Sequence, residues 1–548
     1  MAASKNSRNS RRSKLAVTGS PALAVALCAV VCAAVMGAAA LHFYRTGVTL
    51  WYGDAEAHLN IARRIVDSRT PGWSQIGSTW LPLPHLLMLP FVRSNELWKT
   101  GLAGAIPAAI AMALAGVFLF AAIRRVFKSV LAASAATAVF LLNPNTLYLG
   151  SIPMTEPYFF AALFALLYFT VRFEETRGWG AASGAGVAVC LAALTRYEGW
   201  FLIPFVALFL LIRGKGFTGR LAAALIFCLI ACIGPALWLA HNRFWFGDPL
   251  YFYRGPWSAA AIQGKAWYPG QNDWRLAMRY FWEAGTLLAG LPGLAIGAAG
   301  ILAALWRRAI WPVILLALPP IFYIWSIHSA STPIFLPTLW PHSFYNTRYA
   351  MAWLPLVALG VGAIARFGRI PAAVALLIAF STVVLHPTAH PITWQESDIN
   401  SRARREWIAQ AATWLRPKMG RHETVFTSFS DMTTLYRTLG IPLRNTLTGD
   451  NDVEFAMACL NPQVFLHTDW AVVISGDVAQ GVLDRIRLHG PRYDLEQRIM
   501  VRGAPVVEIY HRVSPSGVLP TSVLPTSYED PVYENARSQE RLPADDGR

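Results

Sequence analysis

The stretch YGDAEAHLNIARRIVDSRTPGWSQIGSTWLPLPHLLMLP, Tyr52 to Pro90, is polar and aromatic yet lies between two strongly apolar segments. It opens with Asp54, Glu56 and His58. A short helix from Ala55 to Ile65 would set Asp54 and His58, at i and i+4, on one face and turn Glu56 elsewhere. The second half, Thr79 to Phe91, is Pro-rich and apolar but too short and too broken to cross a bilayer, so it is expected at the membrane surface. The flanking segments set the class. A chain of 548 residues that is 55% hydrophobic and 14% charged, with 21 Trp and a mean hydropathy of +0.39, is expected to be a polytopic α-helical membrane protein, not an ordinary soluble enzyme.

Apolar runs long enough to cross a bilayer number about eleven, near 15–41, 101–123, 130–147, 155–172, 180–195, 198–212, 221–240, 280–305, 309–327, 348–365 and 371–388. The first follows a basic segment, 1–14, and is too long for a signal peptide, which points to a retained membrane helix. The formal charge of +16 would suit nucleic acid, but the basic residues gather in short loops, as membrane orientation requires. RRVFK (124–128), RFEETR (172–177), RGKGFTGR (213–220), WRR (306–308) and RFGR (366–369) alternate with the basic N-terminus and are assigned to the cytoplasm. The opposite connections, 42–100, 143–156, 196–198, 241–279 and 328–347, then face outward and carry the acids, histidines and aromatics. Five of the six cysteines lie in apolar segments and Cys459 stands alone, so neither a structural disulfide nor a Cys metal site is expected.

Past the last span the composition changes at Gln395. Residues 396–417 read as an amphipathic helix, and 423–429, 470–475 and 504–510 as buried strands, giving a small α/β extracytoplasmic domain over 395–513. From Ser514 the tandem VLPTSVLPTS and a Pro-, Ser- and charge-rich end read as a disordered tail, 514–548.

A carboxylate placed like Asp54, just past a span, is costly near hydrocarbon unless hydrated, paired or used. It is either a solvated loop acid or a general base taking the proton of an acceptor hydroxyl. Glu156, in SIPMTEPYFF, sits where Thr155 could cap a helix and Pro157 could begin it. With Asp54 and His58 it could instead form an O/N site for a divalent metal cation. Arg196, Arg254 and Arg348 lie where a phosphate at the membrane surface would meet them, or they anchor to headgroups and pair with Glu198, Asp248 or Asp273. Trp245, Tyr251, Tyr253, Trp257, Trp267, Tyr268 and Trp274, with Trp340 and Tyr345 in a second loop, serve as an interfacial belt or stack on sugar rings. No Walker loop, Rossmann glycine fingerprint, HExxH or GxSxG holds up.

Taken together, YGDAEAH, TWLPLPHLL (79–87), MTEPYF, LTRYEGW and NTRYAMAWLPL resemble the GT-C superfamily of integral-membrane glycosyltransferases. More narrowly, they are similar to the family of protein O-mannosyltransferases and the lipid A aminoarabinose transferase. The resemblance covers residues 15–390 in layout. It implies an inverting transferase for a hexose or pentose carried on polyprenyl phosphate at the outer face of the plasma (inner) membrane, acting in the cell envelope on an acceptor that is protein, lipid or polymer. It implies Asp54, which matches the acid of the family's first loop, as the catalytic residue, and Glu156 matches the acid of its second outer loop; Glu156 and His58 stay the possible metal ligands that the residues themselves suggest. Arg348 and Tyr349 match the pair near the carrier phosphate, with Arg196 and Arg254 in support, and Glu56 and Trp80 fall on the acceptor and sugar side. The chain departs from the lipid A enzyme at Trp80, Leu81, Pro82, Leu83 and Pro84, where relatives carry a Lys before a Pro-Pro pair; His85 is the substitute for that phosphate contact. The Trp-Trp-Asp signature of oligosaccharyltransferases is absent. Two rival readings remain, a transporter or flippase for lipid-linked sugar and an assembly scaffold.

Overall fold

The computed structural model describes residues 21–513 except 265, 387, 388, 421, 429–431, 452, 488 and 489. The expectations for 1–14, for the start of the first span and for the tail 514–548 lie outside the described residues. Six described helices are long and apolar enough to cross a membrane: Pro21–Arg45, Leu102–Phe127, Glu156–Thr176, Gly216–Phe246, Ile310–Ser329 and Thr347–Ala365. The protein is an integral membrane protein.

The span expected near 280–305 is broken in two. Trp274–Ala289 and Leu291–Trp306 meet at a bend of 103°, because Gly290 sits at φ +74°, a conformation costly to any residue with a β-carbon, and Pro292 opens the next helix. If the two halves count as one span, it is the seventh. Val130–Leu141, Trp179–Ala193 and Arg369–Leu385 are apolar but shorter.

Leu102–Phe127 and Glu156–Thr176 make the buried centre, while Pro21–Arg45 keeps most of its apolar surface outward. Leu291–Trp306 crosses Leu354–Ala365 backbone to backbone through Gly297, Gly300 and Gly360, where a β-carbon on Gly300 would collide with the Gly360 carbonyl. Such close approach is how helices gain packing energy where lipid is as apolar as they are. The two ends of the bundle differ. At one, Arg125 pairs with Glu175 at 2.5 Å and Arg213 with Glu174. At the other lie Glu156, Arg196, Arg348 and the first loop.

In that loop the expected helix forms as Gly53–Arg64. Its apolar face, Leu59 and Ala62, packs on Met88, Val92 and Trp98, and the Pro-rich run becomes the short helix Leu83–Val92.

The helix Ile392–Leu415 leads into β1 (Val425–Thr427), β2 (Thr446–Leu447), β3 (Trp470–Ile474), β4 (Tyr493–Ile499) and β5 (Val507–Arg512). They form one sheet in the order β2-β1-β3-β5-β4. β1 runs parallel to β2 and β3, and β5 antiparallel to β3 and β4, with Val472 opposite Ile509. Sequence patterning missed β2, which is two residues long, and β4, whose YDLEQRI is a partly exposed edge with its apolar alternation broken at Gln497 and its register shifted there. This sheet domain docks on the first loop through Glu56–Arg437 at 2.7 Å, Arg64–Asp450 at 2.5 Å, Asp67–Arg444 at 3.1 Å and Arg69–Glu454.

Candidate active site

Asp54 lies in the first turn of Gly53–Arg64, where the helix dipole favours a negative charge. Arg348 lies near the start of the 3-10 turn Thr347–Trp353, which feeds Leu354–Ala365. The two side chains meet: Arg348 Nη2 donates to Asp54 Oδ2 at 2.5 Å and Nη1 to the Tyr52 hydroxyl at 3.1 Å, while Nε lies 3.1 Å from Glu156 Oε1. The rings of Tyr52 and Tyr349 lie 5.1 Å and 5.3 Å from its guanidinium carbon, within cation–π range.

Glu156 is the first residue of its helix and shares Oε1 with Arg196 Nη1 at 2.9 Å. Arg196 also donates to Thr155 Oγ1 at 2.7 Å, to Glu198 Oε1 at 2.7 Å and to the Tyr323 hydroxyl at 2.8 Å, and Tyr323 donates in turn to Glu198. Three carboxylates and two guanidiniums from four separate segments thus form one network. Burial makes their pairing obligatory, because an uncompensated charge there is strongly destabilising. Thr155 does not cap the helix: its backbone is already helical at φ −86° and ψ −24°, so the hydroxyl serves Arg196 instead.

One member of the network faces open space. The Asp54 side chain is 33% exposed, against 4% for Glu156. It lines a cavity of about 2,460 Å³ together with Arg348, Tyr349, Trp80 and Glu56. Arg348 takes only Oδ2, which leaves Oδ1 for a donor in the cavity. Elsewhere on the wall charge is cancelled in pairs, Arg64 on Asp450 and Arg69 on Glu454, and Trp245, Trp257 and Tyr345 also line it.

The remaining candidates stand outside this network. The set Asp54, His58 and Glu156 does not assemble, and among the described residues no three His, Cys, Asp or Glu side chains converge on a metal site. Guanidiniums hold both acids, a donor set that does not fit a divalent cation. Arg254 is exposed, bonds to Asp248 at 3.5 Å and is not on the cavity wall. His85 is not on that wall either: it is fully buried, with Nε2 at 2.9 Å from His58 Nδ1, so it is not the missing phosphate contact. Glu56 points to Arg437, away from Asp54, and Trp80 stands on His58 with ring centres 4.5 Å apart. Sequence reasoning passed over Tyr52, Tyr323 and Glu396. For Tyr323 the signal was a hydroxyl inside an apolar run, which needs a partner.

Burial, reinforced by Arg348 and Arg196, holds His58 down to about 3, and burial with His58 nearby holds His85 well below the usual imidazole range. Unfolded imidazoles titrate near ~6.5. Between these limits the unfolded chain binds more protons, so stability rises with pH up to that value and is lost on acidification. The melting temperature in detergent is expected to fall between pH 7 and pH 4.5, with a clearly flatter slope in His58→Gln/His85→Gln. An unchanged slope would clear the pair.

A family model described as dolichyl-phosphate-mannose-protein mannosyltransferase matches residues 96–238. No curated protein matches the chain in sequence. Among solved structures, ArnT from Cupriavidus metallidurans bound to undecaprenyl phosphate is similar at a TM-score of 0.51 and 14% identity, covering 88% of this chain and 98% of that one. Its apo state gives a TM-score of 0.53 at 14% identity, covering 86% and 97%. The Archaeoglobus fulgidus oligosaccharyltransferase tethered to an acceptor peptide gives 0.46 at 14% identity, covering 86% and 73%.

Proposed function

We propose, from the premise that this chain carries the GT-C fold of membrane glycosyltransferases, that it moves a sugar from a polyprenyl-phosphate carrier to an acceptor hydroxyl with inversion. The observation that supports this reading most is the contact of Asp54 with Arg348 on the cavity wall. It sets a proton acceptor beside a cation, the two groups a single displacement needs.

In that step the acceptor oxygen attacks the anomeric carbon and gives its proton to Asp54. The bond from that carbon to the phosphate oxygen breaks, and the electron pair leaves with the polyprenyl phosphate. Arg348 stabilises the charge growing on the phosphate, and its own orientation is fixed in advance by Tyr52, Tyr349 and Glu156, so no reorganisation is required at the moment of reaction. Arg196 stands behind Glu156 and holds the network rather than the ligand. One carboxylate suffices, in contrast to the pair that hydrolases use. No step is assigned to a metal ion.

The site belongs to the extracytoplasmic side in this reading, with the N-terminus in the cytoplasm of a cell bounded by the plasma membrane. Basic loops at the opposite end of the bundle support that orientation. On the acceptor side, aromatic rings and paired charges favour an uncharged, hydroxyl-bearing acceptor such as a glycan over an anionic lipid.

Purified protein in lipid nanodiscs, supplied with a panel of undecaprenyl-phosphate sugars and neutral oligosaccharide acceptors, is expected to release undecaprenyl phosphate with one of the sugars. Movement of intact donor between leaflets without release would replace this reading with the flippase.

A further inference from the structure

The carboxylate of Glu396 is buried in the cavity wall, on the helix Ile392–Leu415. Its Oε1 accepts from the Asn346 backbone N–H at 2.9 Å. Its Oε2 accepts from the Thr347 N–H at 2.8 Å and from the Thr347 hydroxyl at 2.5 Å. These are the two residues immediately before Arg348. Asn346 sits at φ +55°, a left-handed conformation that Asn tolerates better than most residues. Followed by the 3-10 turn, it aims successive N–H groups into one concavity, the geometry of a backbone anion nest. Here the anion is a side chain of the protein itself.

The same helix grips the neighbouring segments. One turn on, Asn400 donates to the Phe344 carbonyl at 2.9 Å. Ser397 accepts from Tyr148 at 2.7 Å, and Arg404 donates to the carbonyl of Trp51 at 2.8 Å, three residues before Asp54. Its C-terminal half, through Trp407, Ile408 and Leu415, belongs to the core of the sheet domain. One rigid element therefore bonds both to the chain entering Asp54 and to the chain entering Arg348.

Resting on the function proposed above, we infer that Glu396 is a positioning residue: its carboxylate fixes the 346–347 backbone so that the Arg348 guanidinium lies ready for the carrier phosphate. In this reading Glu396, with both oxygens engaged by Asn346 and Thr347, acts through Arg348 and not on the substrate. A glutamine there keeps the size but offers one carbonyl oxygen where two carboxylate oxygens were used, and its NH2 group opposes a backbone N–H.

The test is the affinity of full-length protein in nanodiscs for undecaprenyl phosphate and for undecaprenol, read by tryptophan fluorescence, with thermal melting alongside. Wild type is expected to prefer the phosphate at least 10-fold. Glu396→Gln is expected to lose most of that preference while undecaprenol binding stays within 2-fold and the melting temperature within about 3 °C. Thr347→Val, which removes one of the three bonds and keeps the shape, is expected to lose 2- to 5-fold on the phosphate alone, and it carries the test should the Gln variant fail to fold. Equal loss for both ligands would make Glu396 merely structural and overturn the inference. So would an undiminished phosphate preference in these variants while Arg348→Ala loses it. A wild type without any phosphate preference would overturn the proposed function itself, and this inference with it.

Discussion

Asp54→Asn is expected to reduce turnover by about 10²- to 10⁴-fold, the range for loss of a positioned general base, while the melting temperature and donor affinity change little. Asparagine is close to isosteric and its carbonyl oxygen can still accept from Arg348 Nη2, so the contact to the network survives. The ability to take a proton does not. Arg348, 10% exposed, keeps Glu156 beside it at 3.1 Å, so the substitution leaves no buried charge stranded. The measurement is release of polyprenyl phosphate under single-turnover conditions, with melting as the control for folding. Turnover within 3-fold of wild type would remove Asp54 as the base, and the solvated-acid reading would stand in its place.

Replacing Arg348 should act on stability and catalysis together, and two substitutions separate them. Arg348→Ala leaves Asp54, Glu156 and Glu198 with Arg196 as the remaining guanidinium of the network. Breaking a buried pair in this way costs about 3–5 kcal/mol, alongside a loss in rate of about 10²- to 10³-fold for a missing transition-state contact. Arg348→Lys restores the charge but not the fork. A single ammonium cannot reach Asp54, Tyr52 and Glu156 from one position, so the lysine variant should recover most of the stability and less than a tenth of the turnover. Full activity in the lysine variant would show that charge alone, without the fixed geometry, serves the phosphate.

The difference between Arg348 and Arg254 shows where local reading stops. Both are arginines beside aromatics in loops expected to face outward, and both were candidates for the phosphate. Arg254 ends a short exposed helix and finds its partner, Asp248, six residues away in the chain. Arg348 finds Asp54, 294 residues away. Spacing describes the first pairing and is silent on the second. His58 shows the same limit from the other side. The i, i+4 rule sets it on the face of Asp54, but packing of Leu83–Val92 against that face buries it on His85, so it does not join Asp54 and Glu156 in a metal site. The network's supports, Tyr323 inside an apolar span and Glu396 beyond the last one, belong to segments whose composition speaks for membrane packing and for an amphipathic helix.

Sequence alone determined that this is a helical membrane protein with a small sheet domain near its C-terminus. Long apolar runs and a polar first loop follow from the cost of placing charge in hydrocarbon, and that cost falls residue by residue, so it is written locally. Tertiary structure decided which charges neutralise which. Ion pairing between buried groups depends on distances of a few ångströms between segments hundreds of residues apart, and only the packed bundle sets those distances. The same holds for the bend at Gly290, which no hydropathy average detects, and for the carboxylate of Glu396, whose partners are backbone amides that every residue but proline possesses.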